Sequence, residues 1–379
     1  MAIAIPEKGL KLISTLSSAG ELKLELADIP ISQPGPDEVL IRVEASPINP
    51  SDILVMIPGV DLTKADFAGS LTRPTLTATL PVELARSFST RFEQPIAVGL
   101  EGAGTVIATG EQAQHLIGKR VAALLPALGM YGQYCTVKMT ECALLPENIT
   151  AVEGAGVFCN PLTALAIVET LHQEGHTALV HTAAASNLGQ MLVKICLEDD
   201  IPLVNIVRRE EHVDLLKGLG AEYVCNSSSP TFEDELLAAL KTTEATVAFD
   251  AIGGSTPSQL LALMEKSAVS RMPIYSPYGS SESKQVYVYG RLDKSPISLG
   301  NAAYGMTWNV GGWAMPPILA KAGTKRSAEL LQRIVNNLKT TFASQYYKVI
   351  SLAEALHRDN IFVYSQMSTG RKFLINPQR

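Results

Sequence analysis

A short apolar run, Leu179-Val180-His181-Thr182, passes into the small residues Ala183 to Ser186, and a helical pattern begins directly afterwards. Leu188, Met191, Leu192 and Ile195 fall at i, i+3, i+4 and i+7, one face of a helix. A second apolar run, residues 202–207, ends in Arg208 and Arg209. That order predicts strand, tight turn, helix and strand, the opening of a dinucleotide-binding unit. Small side chains let the backbone N–H groups around Ser186, Asn187, Leu188 and Gly189 approach a pyrophosphate, where the helix dipole favours negative charge. Arginine after the second strand suits a ribose 2′-phosphate, whereas an acidic residue would suit a free 2′-hydroxyl. The expected cofactor is therefore NADPH, with Arg208 and Arg209 at the phosphate.

The glycine signature of such a turn is degenerate. Asn187 stands where a middle glycine is usual, and only Gly189 remains. Asparagine tolerates left-handed backbone better than most residues, so the turn can form. On this segment alone, a strand-turn-helix without a ligand is an equal reading. Residues 223–226, 246–253 and 270–278 are further short apolar runs separated by helical patterns. Helices are expected to open near Ser229-Pro230 and Thr256-Pro257, each with a hydroxyl before a proline. Such alternation predicts an α/β fold built on a doubly wound parallel sheet.

At 379 residues the chain has room for two domains with sizeable cores. Hydrophobic residues form 46% and charged residues 18%, a globular composition without an obvious disordered region. A net charge of −6 argues against nucleic acid or an anionic lipid surface as partner. No apolar run is expected to reach membrane-spanning length, and residues 1–11 lack a signal-peptide layout. The five cysteines form no CxxC pair, which fits a reducing cytoplasm.

Residues 1–150 read differently. The stretches 11–16, 22–26, 39–45, 102–109, 120–125 and 133–138 are strand-like, with glycine or proline between several of them. They predict a β-rich domain. The alternating domain is expected over 151–339, and residues 340–379 are expected to return to the first domain. In that tail Ser351-Leu352-Ala353-Glu354 is a capping box, and residues 369–377 read as a turn and closing strand.

Several segments in order then carry a resemblance. They are Val39-Leu40-Ile41-Arg42-Val43-Glu44-Ala45, Ile48-Asn49-Pro50-Ser51-Asp52, Val98-Gly99-Leu100-Glu101-Gly102-Ala103-Gly104, Gly118-Lys119-Arg120-Val121, Tyr131-Gly132-Gln133-Tyr134 and Asn160-Pro161-Leu162-Thr163-Ala164. Over almost its full length the chain resembles the zinc-independent quinone-oxidoreductase branch of the medium-chain dehydrogenase/reductase superfamily. Residues 47–52 and 205–208 lean toward the enoyl thioester reductases of that branch. The resemblance implies a GroES-like β domain with a Rossmann domain inserted in it. It also implies that Asn49 and Thr163 lie near a nicotinamide. As a turn residue before Pro50, Asn49 has an equally simple reading, and Asp52 is as well suited to stabilising that loop as to touching substrate. Gly279 and Arg371 complete the candidate cofactor contacts.

In the alcohol dehydrogenases of this superfamily a cysteine and a histidine in two early motifs hold a catalytic zinc. Here those places read Asn49 and Leu100, and a leucine cannot ligate a metal. No zinc site is expected, and His181 reads as a packed strand residue. Without a Lewis acid, alcohol oxidation is disfavoured. Hydride transfer to a quinone or an α,β-unsaturated carbonyl needs less help, because the arriving charge is delocalised onto oxygen and orientation supplies much of the rate. The expectation is thus a cytoplasmic oxidoreductase, an NADPH:quinone reductase with Asn49 as candidate catalytic residue. Enoyl thioester reduction and an NADPH-binding regulatory protein without turnover are the alternatives.

The enoyl thioester reductases carry a tyrosine proton donor soon after the NPSD-like motif, and this chain has none there; Tyr131, Tyr275, Tyr278 and Tyr304 are candidates from other loops. Residues 60–94 form an unusually long segment, expected to be an ordered lid or a surface elaboration. Residues 304–313 hold both tryptophans and read as core, subunit interface or cleft wall. Edge pairing of the last strand would give a homodimer.

Overall fold

The computed structural model describes residues 5–125 and 129–379. The first four residues and the middle of the loop between Val121 and Tyr131 lie outside the described residues. The chain divides into two compact units, Met1–Cys159 with Leu331–Arg379, and Asn160–Leu330.

The first unit is built from strands β1 (Lys8–Leu16), β2 (Glu21–Pro30), β3 (Glu38–Pro47), β4 (Asp66–Gly69), β5 (Pro74–Thr79), β6 (Ile96–Ala97), β7 (Glu101–Thr109), β8 (Arg120–Leu124), β9 (Tyr134–Lys138) and β10 (Cys142–Leu144). In β2, Leu22, Leu24 and Leu26 are buried while Glu21, Lys23 and Glu25 alternate outward, the period of a half-buried strand. Those leucines join Leu12, Leu16, Leu76 and Ala78 in one apolar core. One sheet runs β4-β5-β2-β1-β6. The other runs β10-β8-β7-β3, with β9 also on β3.

The second unit holds β11 (Leu179–Thr182), β12 (Leu203–Val207), β13 (Tyr223–Asn226), β14 (Val247–Asp250), β15 (Lys284–Val288) and β16 (Trp308–Gly312). They form one six-stranded sheet in the order β13-β12-β11-β14-β15-β16, and every pairing is parallel. Strands β11, β12 and β14 are buried at every position, as a sheet covered on both faces requires. Helices Asn187–Glu198, Glu210–Gly218, Phe232–Thr243 and Thr256–Val269 connect β11 through β15. This is the doubly wound Rossmann order, whose direction reverses between β11 and β14. The chain then returns to the first unit, where β17 (Lys348–Ile350) and β18 (Phe373–Ile375) pair with each other and β18 joins β3.

Two expectations are corrected, on residues 270–278 and on the apolar segment Ala151–Glu174. Residues 270–278 are not a strand; they form exposed turns carrying Ile274, Tyr275 and Tyr278, and the next strand is β15. Residues 60–94 contribute β4 and β5 to the first sheet, which ties the segment into the first unit. The segment Ala151–Glu174 is long and apolar enough to cross a membrane, but 72% of its apolar window is buried, which marks a core helix. The expected capping box is present: Ser351 Oγ accepts from Glu354 N at 3.1 Å, and Ser351 N donates to Glu354 Oε2 at 2.7 Å.

Candidate active site

In the second unit the turn after β11 has a single left-handed residue, Ala183, with φ 52°. Asn187, expected to carry that conformation, is instead the first residue of the helix Asn187–Glu198. Ser186 is the N-cap, and its Oγ accepts from Gly189 N at 3.1 Å. A Cβ at Gly189 would overlap the Ala184 carbonyl, so the remaining glycine allows the helix to close onto the turn. The other first-turn N–H groups have no intrahelical carbonyl to bond, which makes this end of a twelve-residue helix suited to an anion. Leu188 is buried beneath it.

Arg208 and Arg209 both follow β12 and are exposed, yet their surroundings differ. Arg209 pairs with Glu211 at 3.1 Å. Glu210 accepts from Asn226 Nδ2 at 3.0 Å instead of neutralising an arginine. Among the described residues the Arg208 guanidinium has no hydrogen bond or ion pair. A free guanidinium at the carboxyl end of the second Rossmann strand matches what a 2′-phosphate needs.

Thr163 lies half-buried in the helix Cys159–Glu174, with its Oγ1 3.9 Å from Met315 Sδ. Gly279 has φ 80°, and a Cβ there would collide with the Glu265 carboxylate. That carboxylate is buried against Lys284 at 2.7 Å and accepts from Ser280 N at 2.7 Å. Packing alone therefore accounts for this glycine. His181 is fully buried, its Nε2 2.7 Å from the Tyr289 hydroxyl and its Nδ1 unpartnered among the described residues. Burial pushes its pKa down to about 3.

The first unit holds the densest polar cluster. Asn49, 2% exposed, caps the helix Pro50–Met56. Its backbone N donates to Asp52 Oδ2 at 2.8 Å, and Leu100 N donates to Asp52 Oδ1 at 2.7 Å. The Asn49 side-chain nitrogen donates to Glu101 Oε1 at 2.9 Å. Glu101 Oε2 accepts from Phe158 N and Cys159 N, both at 2.9 Å. Burial pushes the Asp52 carboxyl up to about 7, against the lowering effect of its two backbone donors, with Glu101 raising it further. The Lys372 ammonium is buried without a hydrogen-bond partner among the described residues. Burial lowers its pKa, while Glu101, Cys159 and Asp52 act to raise it.

The turn reading of Asn49 is met by its cap on the helix, and Asp52 is committed to backbone amides. Arg371 is exposed and stacks over Tyr347, 4.2 Å from the ring centroid. Its neighbour Lys372, which the sequence reading passed over, has a buried ammonium, with its Nζ 5.8 Å from the Tyr346 ring centroid. Glu101 was also missed, although it lies inside a recognised motif; nothing local shows that its partners are Asn49 and the residues 158–159. Two of the four candidate tyrosines are occupied: Tyr131 OH donates to Pro47 O at 3.0 Å, and Tyr304 OH bonds Ser258 Oγ at 2.6 Å. Tyr275 and Tyr278 are exposed in the 270–283 turns. Among the described residues no group of three or more His, Cys, Asp or Glu side chains could hold a metal ion.

Residues 35–159 match the alcohol dehydrogenase GroES-like domain, and the six-stranded parallel unit follows it. Over residues 35–159 the chain belongs to that domain family. Its fold matches a provisionally assigned NADPH:quinone reductase of Mesorhizobium loti, with TM-score 0.72 and 24% identity, covering 99% of this chain and 100% of that one. It also matches Escherichia coli quinone oxidoreductase complexed with NADPH, with TM-score 0.67 and 17% identity over 98% of this chain and 100% of that one. A mitochondrial enoyl-[acyl-carrier-protein] reductase of Caenorhabditis elegans is 23% identical over 252 residues, spanning 65% of this chain and 64% of that relative. The similarity to this curated relative therefore spans less than two thirds of its length.

Proposed function

We propose that the protein is an NADPH-dependent reductase of quinones or α,β-unsaturated carbonyls that works without a metal. The observation that carries the cofactor half of this reading is the unpaired Arg208 guanidinium after β12. Arg208 would hold the 2′-phosphate with charge-assisted bonds, and the first turn of the helix Asn187–Glu198 would take the pyrophosphate. Asn49 is the proposed nicotinamide contact in the first unit, and Thr163 that in the second. NADPH, when bound, supplies a hydride.

The acceptor side follows from what Asn49 and Leu100 can do. Neither offers a Lewis acid for deprotonating an alcohol, since the Asn49 amide is already bonded to Glu101 and leucine has no donor atom. A quinone takes the hydride and one proton from water to become a hydroquinone, and an enone takes the same two to become a saturated ketone. Both acceptors spread the incoming charge onto a carbonyl oxygen, so orientation does most of the work. Enoyl thioester reduction is the second reading, supported by the similarity to the mitochondrial enoyl reductase. Against it, no tyrosine follows the residues 47–52 motif, and Tyr131 is buried on Pro47 O.

The test is NADPH oxidation followed at its near-ultraviolet absorbance with a simple quinone, an enone and an enoyl thioester. Turnover on the first two, with NADPH preferred over NADH, supports the reading. Turnover on the thioester alone transfers it to the second. Tight NADPH binding with no turnover on any of them replaces both with a regulatory role.

A further inference from the structure

The polar cluster around Asn49 contains a mismatch that the reading above does not explain. Glu101 is fully buried and accepts three N–H donors, from Asn49 Nδ2, Phe158 N and Cys159 N. Such a carboxylate is an acceptor, so the Asn49 amide can face it only with its nitrogen. The oxygen must then turn the other way. There Asn49 Oδ1 is buried and accepts nothing from any described residue. Leaving a buried carbonyl unbonded is costly, and turning the side-chain amide would only set its oxygen against the Glu101 carboxylate. Asp52 closes the remaining route by holding Asn49 N, which fixes the start of the helix and with it the side chain.

We propose that Glu101 is a positioning residue that locks the Asn49 amide with its oxygen presented to an N–H donor, and that this donor is the carboxamide of the nicotinamide ring. The proposal rests on the NADPH reading. Its chemistry is specific: a carboxamide NH2 satisfies the orphan oxygen, whereas an acetyl group in the same place puts a methyl against it.

The experiment is calorimetric titration of the protein with NADPH and with its reduced 3-acetylpyridine analogue, which keeps both riboses and all phosphates. Wild type is expected to bind NADPH about tenfold more tightly than the analogue, the worth of one well-made hydrogen bond to a buried oxygen. In Glu101→Gln the Asn49 amide is free to turn, because glutamine both donates and accepts. The two ligands should then differ by no more than about twofold. Glu101→Asp keeps a carboxylate but shortens its reach, and is expected to lose the same discrimination. In both variants the preference for NADPH over NADH should be unchanged. A merely structural role would weaken both ligands in proportion and leave their ratio intact, which overturns the proposal. Equal binding of the two ligands by wild type overturns it without any variant and leaves the cofactor reading standing. If wild type binds neither ligand, both fall together.

Discussion

Arg209 donates to Glu211 at 3.1 Å, and that pairing separates two adjacent arginines into one that is occupied and one that is free. Arg208, one residue earlier, is the side chain left to meet a phosphate. NADPH is expected to bind at least about tenfold, ~1.4 kcal/mol, more tightly than NADH. Arg208→Ala should remove most of that difference and Arg209→Ala little of it. Titration of each variant with both nucleotides measures this, and equal affinities in the parent protein would defeat it.

The buried His181 and Asp52 set opposing pH dependences. Burial holds His181 near 3 against an ordinary 6.5, so its contribution is complete above about pH 6.5 and is lost as pH falls toward 3. Asp52 is raised to about 7 from 3.8, so its contribution is complete below about pH 4 and is lost as pH rises toward 7. Between about pH 4 and 6.5 the two slopes, each up to about 1.4 kcal/mol per pH unit, largely cancel. Replacing His181→Gln removes one of them. The variant should gain stability relative to wild type as pH falls across that window, measured by urea unfolding at several pH values. A constant difference between the two proteins would show that His181 does not stay neutral in the fold.

Residues 60–94 are tied into the first unit more firmly than a lid would be. Leu76 is fully buried in β5, and Arg91 donates to Val55 O at 2.9 Å and to Ser14 Oγ at 2.8 Å. Leu76→Ala is expected to cost about 2–5 kcal/mol and Arg91→Ala about 1–3 kcal/mol in chemical denaturation. Replacement of the whole segment by a Gly/Ser linker should expose β2 and the apolar core, and yield protein that binds hydrophobic dye. A linker variant that folds with wild-type stability would show that β4 and β5 are dispensable.

Strand β16 ends the parallel sheet, and Trp308 and Asn309 on it are exposed. An uncovered edge strand is a pairing surface. A homodimer formed along this edge is proposed, and Asn309→Lys would set like charges close together across it. Self-association measured by light scattering should weaken by about tenfold, at unchanged fold. Monomeric wild type at all concentrations would refute this assembly.

Reductase activity, once found, should survive exhaustive chelation, and elemental analysis should give well under one zinc per chain. The reason is chemical: Leu100 has no ligating atom, and Asn49 gives its amide nitrogen to Glu101.

Much of this was legible in the residues themselves. The strand-like stretch in β2, the short, mostly apolar runs of β11 and β12, and the Ser351–Glu354 box are local patterns, and local backbone physics reads them directly. So is the loss of the zinc ligands, since a leucine stays a leucine in any fold. The sequence could not place the left-handed turn residue on Ala183 rather than Asn187, because the close approach of Gly189 to Ala184 decides it. Nor could it separate Arg208 from Arg209, or Lys372 from Arg371. Neighbours in sequence face different surroundings, and only the folded chain shows which one finds a partner. The apolar look of residues 270–278 misled for the same reason: a strand needs an edge to pair with, and β14 pairs instead with β15. Glu101 and Asn49 are 52 residues apart, and their meeting was invisible until tertiary packing buried the carboxylate against the Asn49 amide and the backbone of residues 158–159.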